Sequence, residues 1–243
     1  MNLVIDRGNT QTKTGVFDQG KLIYSDHSDF LDKQSISQLA SHFTIRHIIV
    51  SSVVEEEHTT LLNQLSALSG SILVLNNTTP LPFEWHYKTK ESMGKDRLAA
   101  VAGALALYPD TNLLVIDAGT AITYELVSNN IFLGGNISPG MAMRFKALNQ
   151  FTSRLPHLSS NEVTPLIGSA TNEAIQAGVQ NGITFEMDGL IATLTEQYDD
   201  LKTIITGGDA EFFARKLKNP IFVNPNLVLI GLNRILEYNA QYI

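Results

Sequence analysis

Two short motifs in this sequence carry the residue types that bind phosphate groups. Residues 6–10 read Asp-Arg-Gly-Asn-Thr and residues 117–120 read Asp-Ala-Gly-Thr, each directly after an apolar run that predicts a strand. Glycine permits close approach of the backbone to a phosphate, and Asp6 could orient a magnesium ion through water. The first motif alone could be an ordinary hairpin turn, since Asp, Gly and Asn are common turn residues. Its recurrence in a second copy favours phosphate binding.

A third motif, Thr-Gly-Gly-Asp at residues 206–209, lies between a predicted strand and a predicted helix. Its glycines would let the backbone approach a ligand, and the N-terminus of the following helix favours anionic groups. Together the three motifs resemble those of the actin, hexokinase and Hsp70 superfamily. In that superfamily two Asp-x-Gly turns grip the phosphates of a nucleotide from both sides of a cleft, and a glycine turn lies beside the adenosine. The resemblance implies a nucleotide site.

An acid and an arginine, Asp96 and Arg97, lie together at the start of an apolar helical stretch. Phosphoryl transfer needs a group that orients the attacking hydroxyl and accepts its proton, and otherwise depends on positioning and charge stabilisation. Asp96 could be that base, and Arg97 could hold a substrate or phosphate oxygen. The alternative is a helix cap with a solvated neighbour.

The elements that must position these motifs occur twice along the chain. Strands lead and then alternate with helices, first in residues 1–109 and again from residue 112. This order predicts an α/β fold with an N-terminal unit over residues 1–109 and a C-terminal unit over residues 110–243. With the superfamily resemblance, we expect a duplicated ribonuclease H-like (actin-like ATPase) fold, two mixed-sheet units flanking a cleft. Helices are predicted at residues 55–68, 96–107, 141–149, 172–197 and 227–240.

Composition restricts the class of protein. A net charge of −7 argues against a nucleic-acid surface, which needs a basic patch. The absence of cysteine excludes disulfides, thiolate metal sites and cysteine nucleophiles. The histidines lack the His-Glu-x-x-His spacing of a zinc site. No stretch has the pattern of a signal peptide or the length of a membrane helix, so a cytoplasmic protein with no membrane partner is expected.

Two further glycine-containing segments resemble nucleotide loops only superficially. Residues 15–22 come close to a Walker A loop, but they lack its final Ser or Thr and link two predicted strands, so we expect a hairpin. Residues 134–140 do not have the glycine spacing of a dinucleotide loop. We expect a structural turn there that shapes the cleft.

Read in order, the motifs resemble those of type III pantothenate kinases. That family has an Asp-x-Gly-Asn-Thr start, a Tyr seven residues before Gly-x-Asp-Arg, and an Asp-x-Gly-Thr-Ala strand end. It then has Gly-Gly-x-Ile-x-Pro-Gly, a Gly-x-x-Thr helix start and a Thr-Gly-Gly-Asp turn. This sequence has the same motifs in the same order, at residues 6–10, 87 with 94–97, 117–121, 134–140, 168–171 and 206–209.

The resemblance implies phosphorylation of pantothenate by ATP, the first step of coenzyme A synthesis, in a homodimer. It assigns Asp96 as the base that acts on the substrate hydroxyl. It also implies that ATP arrives with Mg²⁺ and that a monovalent cation, K⁺ or NH₄⁺, binds at Asp117. The residues it places at ATP are Asp6, Arg7, Gly8, Asn9, Thr10, Gln11, Thr12, Lys13 and Thr120. Those it places at pantothenate are Tyr87, Gly94, Lys95, Asp96, Arg97 and Thr171, the last close to the site of the partner subunit.

Four positions depart from the usual family pattern. None removes a predicted catalytic group, but they alter the charge near the phosphates and the shape of the pantothenate loop. Arg7 replaces a small or apolar residue, and Lys95 stands where Ala is common. The other two departures are Lys90, where Pro is frequent, and Glu125, where Asp is frequent.

Two other functions remain compatible with these motifs. One is a non-catalytic ATP-binding regulatory protein on the same fold, since fold alone does not determine function. The Asp96–Arg97 pair argues against it, because a regulator has no need of a base that faces a hydroxyl. The other is a kinase or phosphatase for a different acceptor such as a sugar. Tyr87 and Thr171, at the substrate positions of the family, argue against that function.

Overall fold

The computed structural model describes residues 1–8, 11–28, 31–52, 58–66, 68 and 71–240. The chain divides into two compact units. The first comprises the chain up to Pro109 together with the segment from Asn226, and the second comprises Asp110–Pro225. Each is built on a mixed sheet with flanking helices, which confirms the predicted α/β class.

The secondary structure follows the predicted alternation of strands and helices. The strands are β1 (Asn2–Arg7), β2 (Thr12–Asp18), β3 (Lys21–Ser28), β4 (His47–Ser52), β5 (Ser71–Val74), β6 (Glu84–Trp85), β7 (Leu113–Ala118), β8 (Ala121–Ser128), β9 (Ile131–Pro139), β10 (Lys202–Thr206) and β11 (Phe222–Val223). The helices are α1 (Lys33–His42), α2 (His58–Leu65), α3 (Lys95–Leu107), α4 (Met141–Gln150), α5 (Thr171–Thr195), α6 (Ala210–Ala214) and α7 (Leu227–Asn239). Among the described residues, none of these helices is long and apolar enough to cross a membrane.

The sheet of the first unit has the order β3-β2-β1-β4-β5. Strand β1 is antiparallel to β2 and parallel to β4. Leu3 and Ile5 pack into an apolar cluster with residues of α1 and α2. Because side chains alternate along a strand, Val4 and Asp6 point to the opposite face, where α3 and α7 pack. This face carries the first phosphate motif at its edge.

The second unit repeats the arrangement with the strand order β11-β10-β7-β8-β9. Strand β7 is antiparallel to β8 and parallel to β10, as β1 is to β2 and β4. The apolar side of the long helix α5 packs on this sheet through Ile175, Val179, Ile183, Met187 and Ile191, which are spaced by four residues. The duplication predicted from the motifs is therefore present in the strand pairing.

The last helix belongs with the first unit, which differs from the predicted second unit of residues 110–243. Helix α7 packs closely on α3, and glycine makes the approach possible. A Cβ on Gly231 would overlap the carbonyl oxygen of Ala99 and lie 2.7 Å from the backbone nitrogen of Gly103. A Cβ on Gly103 would in turn overlap the carbonyl oxygen of Leu227. The two helix backbones are thus in direct contact.

A Gly231→Ala substitution tests that contact. Since the obstacle is backbone, which cannot rotate away, we expect the free energy of unfolding to fall by at least about 2 kcal/mol. Gly178 on α5 is the control, because a Cβ there meets nothing within 4 Å. Gly178→Ala should raise the unfolding free energy by about 0.5–1 kcal/mol in urea denaturation. Equal effects of the two substitutions would contradict the close packing.

Three local predictions have distinct outcomes. Residues 15–22 form the expected hairpin, with Gln19 and Gly20 at positive φ in the turn between β2 and β3. The predicted helix at residues 55–68 is α2, His58–Leu65, and residues 53–57 lie outside the described part of the chain. The prediction of a structural turn at residues 134–140 is wrong, because residues 134–139 belong to β9, which ends at Pro139. A Cβ on Gly135 would overlap the carbonyl oxygen of Tyr124, so the glycine serves close strand pairing.

Candidate active site

The turn between β1 and β2 presents the first phosphate motif. It is closed by a hydrogen bond from the Gly8 N–H to the carbonyl oxygen of Gln11, at 3.0 Å. Asp6 and Lys13 are directly opposite each other in the antiparallel pair, so a carboxylate and an ammonium group flank the turn on one face. Thr12 is buried. Of the predicted ATP residues, Asn9 and Thr10 lie outside the described residues.

The first turn of α3 brings together most of the residues predicted to bind pantothenate. Gly94 is the N-cap residue, and a Cβ there would lie 2.5 Å from Oδ1 of Asp96, so glycine leaves room for the carboxylate. Oδ1 of Asp96 accepts a hydrogen bond from the backbone N–H of Arg97 at 2.9 Å. The Arg97 side chain is only 6% exposed, and its guanidinium carbon lies 5.6 Å from the centre of the Tyr87 ring. The first turn of α3 thus carries a carboxylate bonded to its own backbone and a buried guanidinium placed over the Tyr87 ring.

Lys95 links the start of this helix to the first sheet. Its Nζ donates a hydrogen bond to the carbonyl oxygen of Ser52 at 3.0 Å. Ser52 is the last residue of β4 and lies opposite Arg7 of β1 in the parallel register. The start of α3 and the β1–β2 turn therefore lie at the same edge of the first sheet. The sequence predicted that Lys95 contacts pantothenate, and the structure places its ammonium group on a backbone carbonyl.

In the second unit, the turn after β7 is held by backbone hydrogen bonds from both sides. The N–H of Gly119 donates to the carbonyl oxygen of Ala121, and the N–H of Gly140 donates to that of Thr120, both at 3.1 Å. Gly140 is the N-cap residue of α4, and a Cβ on it would overlap the carbonyl oxygens of Gly119 and Thr120. Thr120 is therefore presented by a turn that packs against the start of a helix.

The glycine turn after β10 packs directly on the turn after β7. Gly207 has φ +95°, and a Cβ on it would overlap Oδ1 of Asp117 and lie 2.5 Å from the carbonyl oxygen of Ala118. The N–H of Asp209 donates to that same carbonyl oxygen at 2.9 Å. Burial raises the pKa of the Asp209 carboxyl. Two of the three predicted nucleotide motifs are thus brought into contact by β7 and β10.

One hydroxyl group beside this contact is buried without a hydrogen-bond partner in the described part of the chain. Thr206 lies opposite Asp117 in the parallel register, so both side chains project from the same face of the sheet. The Thr206 side chain is fully buried, and its Oγ1 has no hydrogen-bond partner among the described residues. A buried hydroxyl without a partner costs free energy, which a bound ion or water would offset.

Thr171 begins α5 in the second unit and is exposed. Just before it, the backbone N–H and the hydroxyl of Ser169 both donate to Oε2 of Glu173 at 2.9 Å. These hydrogen bonds lower the pKa of the Glu173 carboxyl. Thr171, Asp117 and Thr120 therefore lie in a different unit from the Asp96 group.

Sequence reasoning missed a polar network under the turn after β7. Glu186 of α5 accepts hydrogen bonds from the Tyr124 hydroxyl at 2.8 Å and from Nη2 of Arg144 at 2.6 Å. Arg144 also donates through Nε to the carbonyl oxygen of Pro139 at 2.9 Å. The network thereby supports the segment whose next residue, Gly140, holds Thr120. A glutamate within the apolar stretch of a predicted helix was the signal that could have identified it.

Burial and hydrogen bonding determine the protonation of this network. Burial raises the pKa of Tyr124, as does its hydrogen bond to Glu186, so the phenol stays a donor. Burial acts to raise the pKa of Glu186, but the hydrogen bonds from Arg144 and Tyr124 outweigh it and lower that pKa. The ion pair between Glu186 and Arg144 is therefore present at neutral pH, and it holds the segment before α4 in place.

A metal ion would have few protein ligands here. Within the described residues, no group of three or more His, Asp or Glu side chains is placed to hold one. Magnesium keeps several waters and is commonly bound through one or two carboxylates together with substrate phosphates. Single carboxylates such as Asp6 and Asp117, each at the end of a strand, fit that mode.

Comparison with known proteins identifies relatives of this chain. The sequence profile of the family described as type III pantothenate kinase matches residues 2–193. A type III pantothenate kinase of Phocaeicola vulgatus is 44% identical over 242 residues, which cover 99% of this chain and 100% of the relative.

Solved structures share the fold. A Campylobacter jejuni protein described as a candidate Baf family transcriptional activator has a TM-score of 0.63 and 26% identity over 98% of this chain and 99% of its own. A candidate 2-dehydro-3-deoxygalactonokinase of Sinorhizobium meliloti has a TM-score of 0.62 at 12% identity, covering 100% of this chain and 99% of its own. These likenesses confirm the predicted actin-like fold.

Proposed function

Because this chain belongs to the type III pantothenate kinase family and transfers the γ-phosphate of ATP to pantothenate, we propose that Asp96 is the base of that reaction. The reaction is the first step of coenzyme A biosynthesis, and the ATP is used with a divalent metal ion. The observation that carries the assignment is the position of Asp96 at the first turn of α3, beside Arg97 and at the sheet edge that holds the β1–β2 turn. A carboxylate there can accept the hydroxyl proton as the phosphate is transferred.

Pantothenate binds, on this proposal, at Tyr87, Gly94, Arg97 and Thr171. Arg97 suits the carboxylate of pantothenate, because a guanidinium can form two parallel hydrogen bonds with it. The ring of Tyr87 holds the guanidinium in orientation, and burial of Arg97 restricts its rotamers. Gly94 leaves the space that the Asp96 carboxylate occupies.

ATP binds at the two Asp-x-Gly turns. In the first unit we assign the phosphate contacts to residues 6–13, with the Lys13 ammonium offsetting phosphate charge and Asp6 orienting Mg²⁺ through water. In the second unit Thr120 is the contact, on a turn held by Gly140. When bound there, magnesium would neutralise part of the charge on the transferred phosphate. The residues of the two turns hold the phosphates in the orientation that transfer to the hydroxyl requires.

A monovalent cation, K⁺ or NH₄⁺, binds at Asp117 in this proposal. The buried Thr206 hydroxyl, which has no partner among the described residues, offers a neutral oxygen beside the carboxylate. Oxygen atoms of this kind, one charged and one neutral, can be two of the several ligands that K⁺ needs. The turn at Gly207 packs on the same carboxylate, so the cation would support the contact between the two nucleotide motifs.

An Asp117→Asn substitution should weaken the response to K⁺. Loss of the negative charge is expected to raise the K⁺ concentration for half-maximal activity at least about tenfold, equivalent to roughly 1.4 kcal/mol. The measurement is initial rate against K⁺ concentration at constant ionic strength. Asp199→Asn, at an exposed position in the same unit, should leave the response unchanged. An unaltered K⁺ response in the Asp117 variant would remove that residue from the cation site.

We also propose that the enzyme is a cytoplasmic homodimer. The second unit exposes several large apolar side chains: Ile137, Met143, Phe151, Val163, Leu166, Ile167 and Phe185. Val163 and Ile167 are each 82% exposed. Nδ2 of Asn181 donates to the carbonyl oxygen of Pro165 at 2.9 Å, so the loop carrying several of these residues lies along α5 near Phe185. Exposed apolar side chains on this loop and on the neighbouring α5 favour association with a second copy. Sedimentation equilibrium should therefore give twice the mass of one chain.

The first experiment is phosphate transfer from ATP to pantothenate with Mg²⁺, in matched K⁺ and Na⁺ buffers. Formation of phosphopantothenate that is faster in K⁺ would support both the reaction and the cation site. Absence of product in either buffer, from protein shown to be folded, would overturn the assignment and favour the regulatory function. Product formed at equal rates in both buffers would leave the kinase intact and count against the cation site.

A further inference from the structure

The ammonium group of Lys95 forms a hydrogen bond within the protein. Its Nζ lies 3.0 Å from the carbonyl oxygen of Ser52, which is 43 residues away in sequence. Lysine is a flexible residue that normally keeps its head group in water. Here the side chain is half-buried, and its ammonium donates to a backbone carbonyl at the last residue of β4.

The first turn of α3 has little capping of its own. Its N-cap residue is Gly94, which supplies no side-chain hydrogen bond to the helix. The first intrahelical bond, from the Leu98 N–H to the carbonyl oxygen of Gly94, is 3.3 Å long. The first backbone N–H groups of such a terminus lack intrahelical carbonyl partners, and Oδ1 of Asp96 satisfies that of Arg97. A terminus of this kind is prone to fraying. A side-chain tie to the sheet therefore has a large effect on where this turn lies.

Ser52 is a suitable anchor for a residue at the phosphate site. Ser52 lies opposite Arg7, the last residue of β1, in the parallel register. Gly8 follows Arg7 and begins the β1–β2 turn. Parallel neighbours lie about 4.8 Å apart, so the Lys95 bond ends within one strand spacing of the β1–β2 turn. The residue after Lys95 is Asp96.

We propose that Lys95 is a positioning residue. Its bond to Ser52 fixes the first turn of α3 to the end of β4, and so holds Asp96 at the sheet edge that carries the β1–β2 turn. This inference rests on the proposed role of Asp96. It assigns Lys95 a different task from substrate binding, because the ammonium group is committed to a protein carbonyl. The specific atoms are Nζ of Lys95 and the backbone oxygen of Ser52.

Lys95→Met tests the inference, since methionine keeps most of the apolar length and removes the donor. Misplacement of a catalytic group by a fraction of an ångström to one ångström costs up to about 100-fold, so we expect kcat to fall by about 10- to 100-fold. KM for pantothenate and for ATP should change by less than about twofold, because a positioning residue does not contact them. Lys95→Arg, which retains a donor of similar reach, should recover most of kcat. Lys21→Met, at an exposed position at the start of β3, is the matched control and should match the unaltered enzyme.

Amide hydrogen exchange measures the anchor without reference to activity. In Lys95→Met, the amides of Arg97 and Leu98 should exchange at least about tenfold faster, while the β1 amides stay protected. A large rise in KM for pantothenate with kcat retained would overturn the inference and return Lys95 to the substrate contacts. Unchanged exchange would also overturn it, as would faster exchange with unchanged kcat. If Asp96→Asn retained activity, the base assignment would fail, whereas the exchange data would still decide whether the anchor exists.

Discussion

Replacement of Asp96 by asparagine should lower kcat by about 100- to 10,000-fold, the usual contribution of a general base. Asparagine has nearly the same shape, but its amide cannot accept the proton of the pantothenate hydroxyl. Its side-chain oxygen can still accept the hydrogen bond from the Arg97 N–H that the aspartate accepts at 2.9 Å. The start of α3 should therefore keep its conformation, and the loss should appear in kcat.

Controls separate this effect from a general loss of structure. The melting temperature of Asp96→Asn should lie within a few degrees of the unaltered enzyme, and KM for ATP should be nearly unchanged. Asp18→Asn removes an exposed carboxylate at the end of β2 and should leave kcat unaffected. Turnover close to that of the unaltered enzyme in Asp96→Asn would exclude Asp96 as the base and direct attention to another group near Arg97.

Substitution of Gly207 by alanine should disable the proposed nucleotide site of the second unit. The residue has φ +95°, a conformation that costs a residue with a Cβ of order 1–3 kcal/mol. The new methyl group would also overlap Oδ1 of Asp117 and approach the carbonyl oxygen of Ala118. Either the glycine turn or the Asp117 carboxylate must shift, and both belong to predicted ligand contacts. We expect kcat/KM for ATP to fall by at least about 100-fold, equivalent to roughly 2.7 kcal/mol.

The adjacent glycine provides the matched comparison. A Cβ on Gly208 meets nothing within 4 Å, so Gly208→Ala adds the same methyl group one residue away without a steric obstacle. Its kcat/KM for ATP should stay within about threefold of the unaltered enzyme if only space decides the result. Similar losses in both variants would show that ATP contacts the backbone at both glycines, because a methyl group at either position would then block its approach. Full activity of Gly207→Ala would contradict the packing of this turn on Asp117.

The strands and turns that carry the proposed nucleotide motifs were predictable because each is local in sequence. An apolar run followed by Asp-x-Gly predicts a buried strand that ends in a tight polar turn, and β1 and β7 are such strands. The repeat of that pattern predicted the duplication, which the parallel pairing of β1 with β4 and of β7 with β10 confirms. Strand formation and turn geometry depend on neighbouring residues, so one sequence is sufficient to predict them.

Other features depend on residues that are far apart in the chain. Residues 134–140 have the glycines of a turn, and yet most of them extend β9, because the backbone of β8 approaches closely enough to require Gly135. A glycine-rich segment has the same local pattern in either case. Only the position of the neighbouring strand shows whether such a segment is a turn or a strand whose glycines allow close pairing.

The sequence by itself determined the α/β class, the duplication, the family and the order of the ligand motifs, since these reside in local patterns of hydropathy and turn residues. Tertiary structure alone decided that α7 packs with the first unit, through the backbone contact of Gly231 with Ala99. It also decided that Lys95 bonds to Ser52 and that Glu186, 62 residues from Tyr124, joins it beneath the Thr120 turn. The physical reason is that side-chain partners of this kind are selected by sheet register and helix packing, which bring distant residues together and leave no periodic signal in the chain.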